Sequence, residues 1–287
     1  VATYPTSDQL LVVIDPVARR TDGESVRIAK DVLSAGAAAK VCLPDGPEEF
    51  TRALARRGSR RPVVVGDDRA LLRAVSALHR QRELAGCALS VVPVGGALSL
   101  TRSLGVPTGP VAAARAVLEG AERRLDLLVD DSDGVVLGTL RIPPVSSRQA
   151  DPAGSAAVPP GAGHPWLRTC QSLVRTLVTR PPRATVIAGP GPSRLRVEVD
   201  GETVVDLEQP VEAVSVTPGG GTGKAEVEVR RLSVGAEASP LLAHGRTVTV
   251  SGAGFRYRAD TVVSGPVRTR TWRVVEGAWG LTLPVPG

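Results

Sequence analysis

Two domains are predicted: an α/β N-terminal domain with a parallel sheet and helices on both faces, and a β-rich, sandwich-like C-terminal domain. Three observations carry this expectation. From Leu10 to about Val129, short Val/Leu runs alternate with helical patterns, the arrangement that builds strand–helix–strand units on a parallel sheet. From Arg148 to Pro165, Ala, Pro and Gly dominate, the composition of a linker or mobile loop. Beyond it, short alternating segments separated by glycines read as strands. The expected boundaries are 1–143 for the α/β nucleotide-binding-like domain, 144–165 for the linker and 166–287 for the β-rich domain, whose last segment is a candidate to return to the first.

In chain order, LLVVID (10–15) reads as a strand, ESVRIAKDVLSAG (24–36) as a helix, AKVCL (39–43) as a strand and PEEFTRALARR (47–57) as a helix. PVVVG (62–66), RALLRAVSALHRQRE (69–83), ALSVVPV (88–94) and PVAAARAVLEGAE (110–122) continue the alternation. His164–Arg180 has the pattern of one amphipathic helix. Strand patterns follow at 184–188, 194–201, 202–208, 212–217, 225–234, 246–252, 255–260, 268–277 and 279–285.

At 287 residues the chain is long enough for two domains, each with its own core. Aromatics are only 2%, so that core must be built from Val, Leu and Ala. No run of about 18 apolar residues is present, and VATYPTSDQ lacks the basic and apolar regions of a signal peptide; a soluble, cytoplasmic protein is expected. Cys42, Cys87 and Cys170 are odd in number and widely spaced, which suggests neither a disulfide framework nor a zinc site. His79, His164 and His244 are isolated, and no catalytic triad or metal set can be assembled from them. Trp166, Trp272 and Trp279 read as packing anchors.

Two loops carry the chemistry. VVVGDDRALLRAV (63–75) and VVPVGGALSLTRSLGVP (91–107) each run from a Val-rich strand through glycine into a helical pattern. Such loops bring backbone N–H groups close to a polyphosphate, because glycine has no Cβ and reaches positive φ freely; in an open α/β sheet, loops at strand C-termini are also where ligands bind. The simpler alternative is that Gly66 and Gly95 only turn the chain. TPGGGTGKAEVEV (217–229) looks like a P-loop but fails: Pro218 stands where its first Gly is required, Ala225 follows Lys224, and a strand pattern comes next. A hairpin loop is expected there.

The two loops resemble the GGDGT and PLGTGNDFAR.LG.P segments of the diacylglycerol kinase and sphingosine kinase family, with most working residues replaced. The first motif falls on Gly66, Asp67, Asp68, Arg69 and Ala70, keeping only the first Gly and the central Asp. A non-glycine residue held in a left-handed conformation there would cost about 1–2 kcal/mol, and Asp67 adds negative charge, whereas Arg69 is itself an anion-binding candidate. In the second, Pro93, Gly95, Arg102, Leu104, Gly105 and Pro107 agree, while Thr, Gly, Asn and Asp of the family become Gly96, Ala97, Leu98 and Ser99. Asp15 and Pro16 stand at the family's Asn-Pro pair, and AAARAVLEGAERRLDLLVDD (112–131) matches the stretch leading to its second domain. The closing DGE segment, whose acidic residues the resemblance implies deprotonate the lipid hydroxyl, is matched to Ser264, Gly265 and Pro266, none of which supplies a base.

The resemblance implies a lipid-kinase fold from Leu10 to about Pro284. The residues imply a degenerate member: a pseudokinase acting as a binding or regulatory module, with no catalytic residue, no cofactor and no metal, and with Asp15, Gly66, Asp68, Arg69, Gly95, Gly96 and Arg102 as a vestigial nucleotide site. An active ATP-dependent kinase of diacylglycerol, using ATP and Mg²⁺ with Asp68 and Arg69 compensating for lost glycines, is the second reading. The third rests on the net charge of +6 and a pI near 9.9, which favour a polyanion, either nucleic acid or an anionic membrane surface. Its candidates are Arg52, Arg56, Arg57, Arg60 and Arg61, although Arg at a helix C-terminus is also ordinary dipole complement. No helix-turn-helix, zinc finger or aromatic RNA-binding motif is present. A lipid or nucleotide in the cleft between domains, and a homo-oligomer, are further expected partners.

Overall fold

The computed structural model describes residues 9–144, 193–232 and 239–285. The expected linker, apart from Pro144, lies outside them, as do the helix at 164–180, the strand at 184–188, His164, Trp166 and Cys170. Four parallel-paired strands form the N-terminal sheet in the order β2 (Ala38–Cys42), β1 (Gln9–Ile14), β3 (Arg61–Gly66), β4 (Ala88–Pro93). Alternation of side chains sends successive residues of each strand to opposite faces. Leu11, Val13, Val64, Leu89 and Val91 pack with α3 (Pro47–Ala55) and α4 (Asp68–Arg80) through Phe50, Leu54, Leu71 and Leu78. Leu10, Val12, Ile14, Val63 and Val92 pack with α2 (Gly23–Gly36) and α6 (Pro110–Glu119) through Ala29, Leu33, Ala113 and Val117. Two short helices, α1 (Pro16–Thr21) and α5 (Ser99–Ser103), begin just after β1 and in the turn after β4.

The helical pattern at 110–122 breaks earlier than its periodicity suggests. α6 stops at Glu119, where Gly120 turns extended (φ −75°, ψ 170°) at a position that admits no side chain: a Cβ there would lie 2.3 Å from the Ala116 carbonyl oxygen and 2.4 Å from that of Leu283. Ala121 then opens β5 (Ala121–Asp130).

The remaining described strands are β6 (Val135–Val136), β7 (Leu140–Ile142), β8 (Ser193–Val199), β9 (Glu202–Val205), β10 (Pro210–Pro218), β11 (Ala225–Arg231), β12 (Leu241–Gly245), β13 (Thr247–Ala259) and β14 (Val262–Leu283). Pairings run in a closed circuit, β7 to β10 to β8 to β13 and back to β7, around a core that includes Val197, Val214, Val250 and Trp272. The β10–β11 pair makes TPGGGTGK a hairpin loop. The two strand patterns at 246–252 and 255–260 are one strand, β13, interrupted by register shifts between Ser251 and Tyr257.

β14 joins the two parts. Its first half pairs antiparallel with β13, its second half, from Trp272 to Leu283, antiparallel with β5, and its end also runs parallel to β4 through Gly280↔Ala88 and Leu281↔Leu89. The parallel-sheet expectation is corrected accordingly. Among the described strands, parallel pairing holds for β1–β4 and the β4–β14 contact, and these strands form one mixed sheet whose other pairings are antiparallel. Trp272 and Trp279 on β14 are fully buried, one in each part's core. Among the described residues no helix is long and apolar enough to cross a membrane.

Candidate functional site

β3 delivers the first loop to the C-terminal end of the sheet. Asp67 is the N-cap of α4, its Oδ1 accepting from the Arg69 and Ala70 N–H groups at 3.0 and 3.1 Å. Its backbone is extended, with φ −86°, so the left-handed strain expected of a non-glycine residue here is absent; the carboxylate caps a helix instead. Gly66 persists for packing: a Cβ would lie 2.6 Å from Ala70 Cβ and 3.0 Å from Asp15 Cβ.

Asp68 is fully buried and ties the two loops together. Oδ1 accepts from the Thr101 N–H at 2.9 Å, and Oδ2 from the Leu100 N–H at 2.9 Å and the Ser99 hydroxyl at 3.3 Å. Its own N–H donates to the Ala97 carbonyl at 2.9 Å. Leu98, the N-cap position of α5, has no side chain able to cap, and Asp68 from the neighbouring loop supplies the missing acceptors. Gly95 adopts φ +127°, where only glycine sits without strain, and Gly96 is exposed with open space at its Cβ position. Arg69 and Arg102 are exposed beside these turns.

Asp15 is buried after β1 and caps α1 through the Val17 N–H at 2.8 Å. Its other oxygen is paired to Arg73 at 2.5 Å, and the Arg73 guanidinium lies 5.4 Å from the centre of the Phe50 ring. Helical spacing on α4 brings Arg73 over this turn, a placement that no motif in the sequence marks.

In the closing segment, Ser264, Gly265 and Pro266 lie within β14, Ser264 opposite Tyr257 of β13. Gly265 has φ +100°, and a Cβ there would meet the Phe255 carbonyl oxygen at 2.6 Å. The acid of this hairpin is Asp260, in the turn between β13 and β14 with φ +50°. Its carboxylate accepts from the N–H groups of Leu137, Gly138 and Thr139 at 2.8, 2.8 and 2.9 Å. Burial pushes the carboxyl above its ordinary value; the three N–H donors oppose this, and the charge of Asp68 adds to it. Asp260 ends a strand pattern where a turn acid is unremarkable, so its proximity to Asp68 was invisible in the sequence.

The Arg cluster at the end of α3 divides. Arg57 is ion-paired with Glu83, Arg60 donates to the Arg57 carbonyl, and Arg61 donates to the Val117 carbonyl at 2.7 Å. Arg52 and Arg56 remain exposed on the helix surface. A separate cavity of about 550 Å³ is lined by Asp130, Asp131, Asp133, Arg82, Thr271 and Arg273, and Arg270 beside it is paired with Asp131. Among the described residues no group of three or more His, Cys, Asp or Glu is arranged to hold a metal ion.

Loops at the ends of parallel strands, set beside a strand-rich unit that returns to the first sheet through β14, define the class as a lipid-kinase fold. Residues 9–129 match the diacylglycerol kinase catalytic domain, so that segment is similar to the catalytic domain of those kinases. Three solved structures from Bacillus anthracis str. Sterne share the fold, two described as candidate diacylglycerol kinases and one as a diacylglycerol kinase. The first has a TM-score of 0.67 at 12% identity, covering 96% of this chain and 97% of its own. The second has 0.68 at 13%, covering 98% of each chain, and the third 0.66 at 12%, covering 96% and 97%. At such identities the likeness concerns the fold alone. No curated protein matches the chain.

Proposed function

We propose that this protein is a catalytically silent lipid-kinase fold serving as a binding or regulatory module. One observation carries the reading: the acids of the loops and of the closing turn are occupied by the protein's own groups. Asp67 caps α4, Asp68 caps α5, Asp260 clamps the segment 137–139, and Asp15 holds Arg73. Phosphoryl transfer by a kinase of this family would call on ATP and a divalent cation, with acidic oxygens turned toward the metal and a base near the acceptor hydroxyl. The residues present do not fit that set. Asp68 is fully buried with both oxygens accepting N–H bonds, and Leu98 offers no polar atom.

An active, ATP-dependent diacylglycerol kinase is the second reading. It is favoured by the positive φ of Gly95, the open space at Gly96 and the exposed Arg69 and Arg102, which leave an anion-compatible turn after β4. Isothermal titration with Mg·ATP separates the two. The silent fold is expected to give no binding heat up to low-millimolar nucleotide, and clear binding would favour the kinase. A Leu98→Asn, Ser99→Asp double variant is expected to remain inactive, because Asp68 and Asp260 stay engaged.

A further inference from the structure

β2 is the edge of the N-terminal sheet, paired only with β1 among the described strands. Its neighbour on one face, α3, packs inward on Leu54 and Phe50 and leaves a groove of about 380 Å³ between itself and that edge. The floor is apolar, formed by Leu11, Cys42 and Ala53. The helix wall is one face of α3 and its cap, Glu49, Arg52, Ala53 and Arg56, the spacing that aligns side chains along a helix. Lys40 projects from the strand side, in register with Leu11.

The charge here is unbalanced. Lys40 and Arg56 have no ion-pair partner among the described residues, and Arg52 meets only the highly exposed Glu48, at 3.8 Å. The one carboxylate in the lining, Glu49, accepts from the Asp45 N–H at 3.0 Å. Leu43, at the mouth, is 53% exposed.

We propose that this groove is a docking site for an extended acidic segment of a partner protein, which adds to the sheet as a strand alongside β2. Such a segment uses all three features at once. Its backbone pairs with the open strand edge, its carboxylates meet Lys40, Arg52 and Arg56, and an intervening apolar side chain lies on the Leu11–Cys42 floor. A polynucleotide would use the cations alone and leave the edge and the floor unused. Lysine on an edge strand is also a common guard against unwanted pairing, so the test must separate pairing from simple charge.

The probe is a short fluorescein-labelled peptide alternating Glu and Val, followed by anisotropy, with hydrogen exchange read at residues 38–42. Binding that weakens about tenfold or more in a Lys40→Glu, Arg52→Glu, Arg56→Glu variant is expected, together with slowed exchange in β2. A peptide of equal charge with prolines at alternate positions should not bind, since proline cannot complete the strand ladder. Far-UV circular dichroism checks that the variant is folded, and an alternating Lys/Val peptide should bind the charge-reversed variant in place of the acidic one. The proposal is overturned by no binding of the Glu/Val peptide, by equal binding of the proline peptide, by binding without protection of β2, or by a double-stranded oligonucleotide competing as strongly as the peptide. A dimer of the wild-type chain that protects β2 without peptide would also overturn it, by making a second copy the occupant.

Discussion

Asp68 shows how a motif residue can keep its place and change its work. In the sequence it is the central acid of a degraded phosphate loop; in the fold its two oxygens terminate the N–H groups of Leu100 and Thr101. Substitution by Ala leaves those buried donors without acceptors, and such a loss costs about 1–3 kcal/mol. Urea denaturation of Asp68→Ala should show that decrease, with Asp68→Asn closer to wild type because one acceptor remains. A stability equal to wild type would mean that the side chain is not a cap. Asp260 gives a second test. Its carboxyl is pushed above its ordinary value by burial, so the folded chain retains a proton that the unfolded chain has already released. Its stabilising contribution is complete below the unfolded value and is lost as pH rises through the folded one. Urea series across the acid range should show wild type losing stability relative to Asp260→Asn as pH rises through that window; a flat difference would contradict it. The motif frame was legible because glycine spacing survives in Gly66 and Gly95. The roles of Asp67, Asp68 and Asp260 were not, because a cap depends on which N–H groups the fold brings near.

At the scale of elements, most strands and helices of the N-terminal sheet were legible from periodicity, since each helix must present one apolar stripe to a two-faced sheet. The end of α6 was not: Gly120 turns extended there where the Leu283 backbone, remote in sequence, leaves no room for a Cβ. The union of two strand patterns into β13 was likewise hidden, because a bulge keeps pairing while breaking alternation. Buried Asp126 fastens two of these elements, accepting from the N–H of Gly223 in the β10–β11 loop and of Gly277 within β14, each at 2.9 Å. Asp126→Ala should therefore accelerate hydrogen exchange at Gly223 and Gly277 while leaving β1 and β3 protected. Acceleration throughout the sheet would instead place Asp126 in the global core.

For the whole molecule, β14 is the element that makes a nucleotide-domain-like sheet and a strand-rich unit continuous, with Trp279 seated in the first core and Trp272 in the second. The fold of a lipid kinase is thereby retained while the acids around its loops are engaged as caps and clamps. A fold is compatible with many activities, and the site decides. The most direct measurement is transfer of radiolabelled phosphate from Mg·ATP to diacylglycerol in mixed micelles by the unmodified protein. The account predicts no transfer above the protein-free control. Turnover on the order of 1–100 s⁻¹, the range typical of kinases, would contradict it.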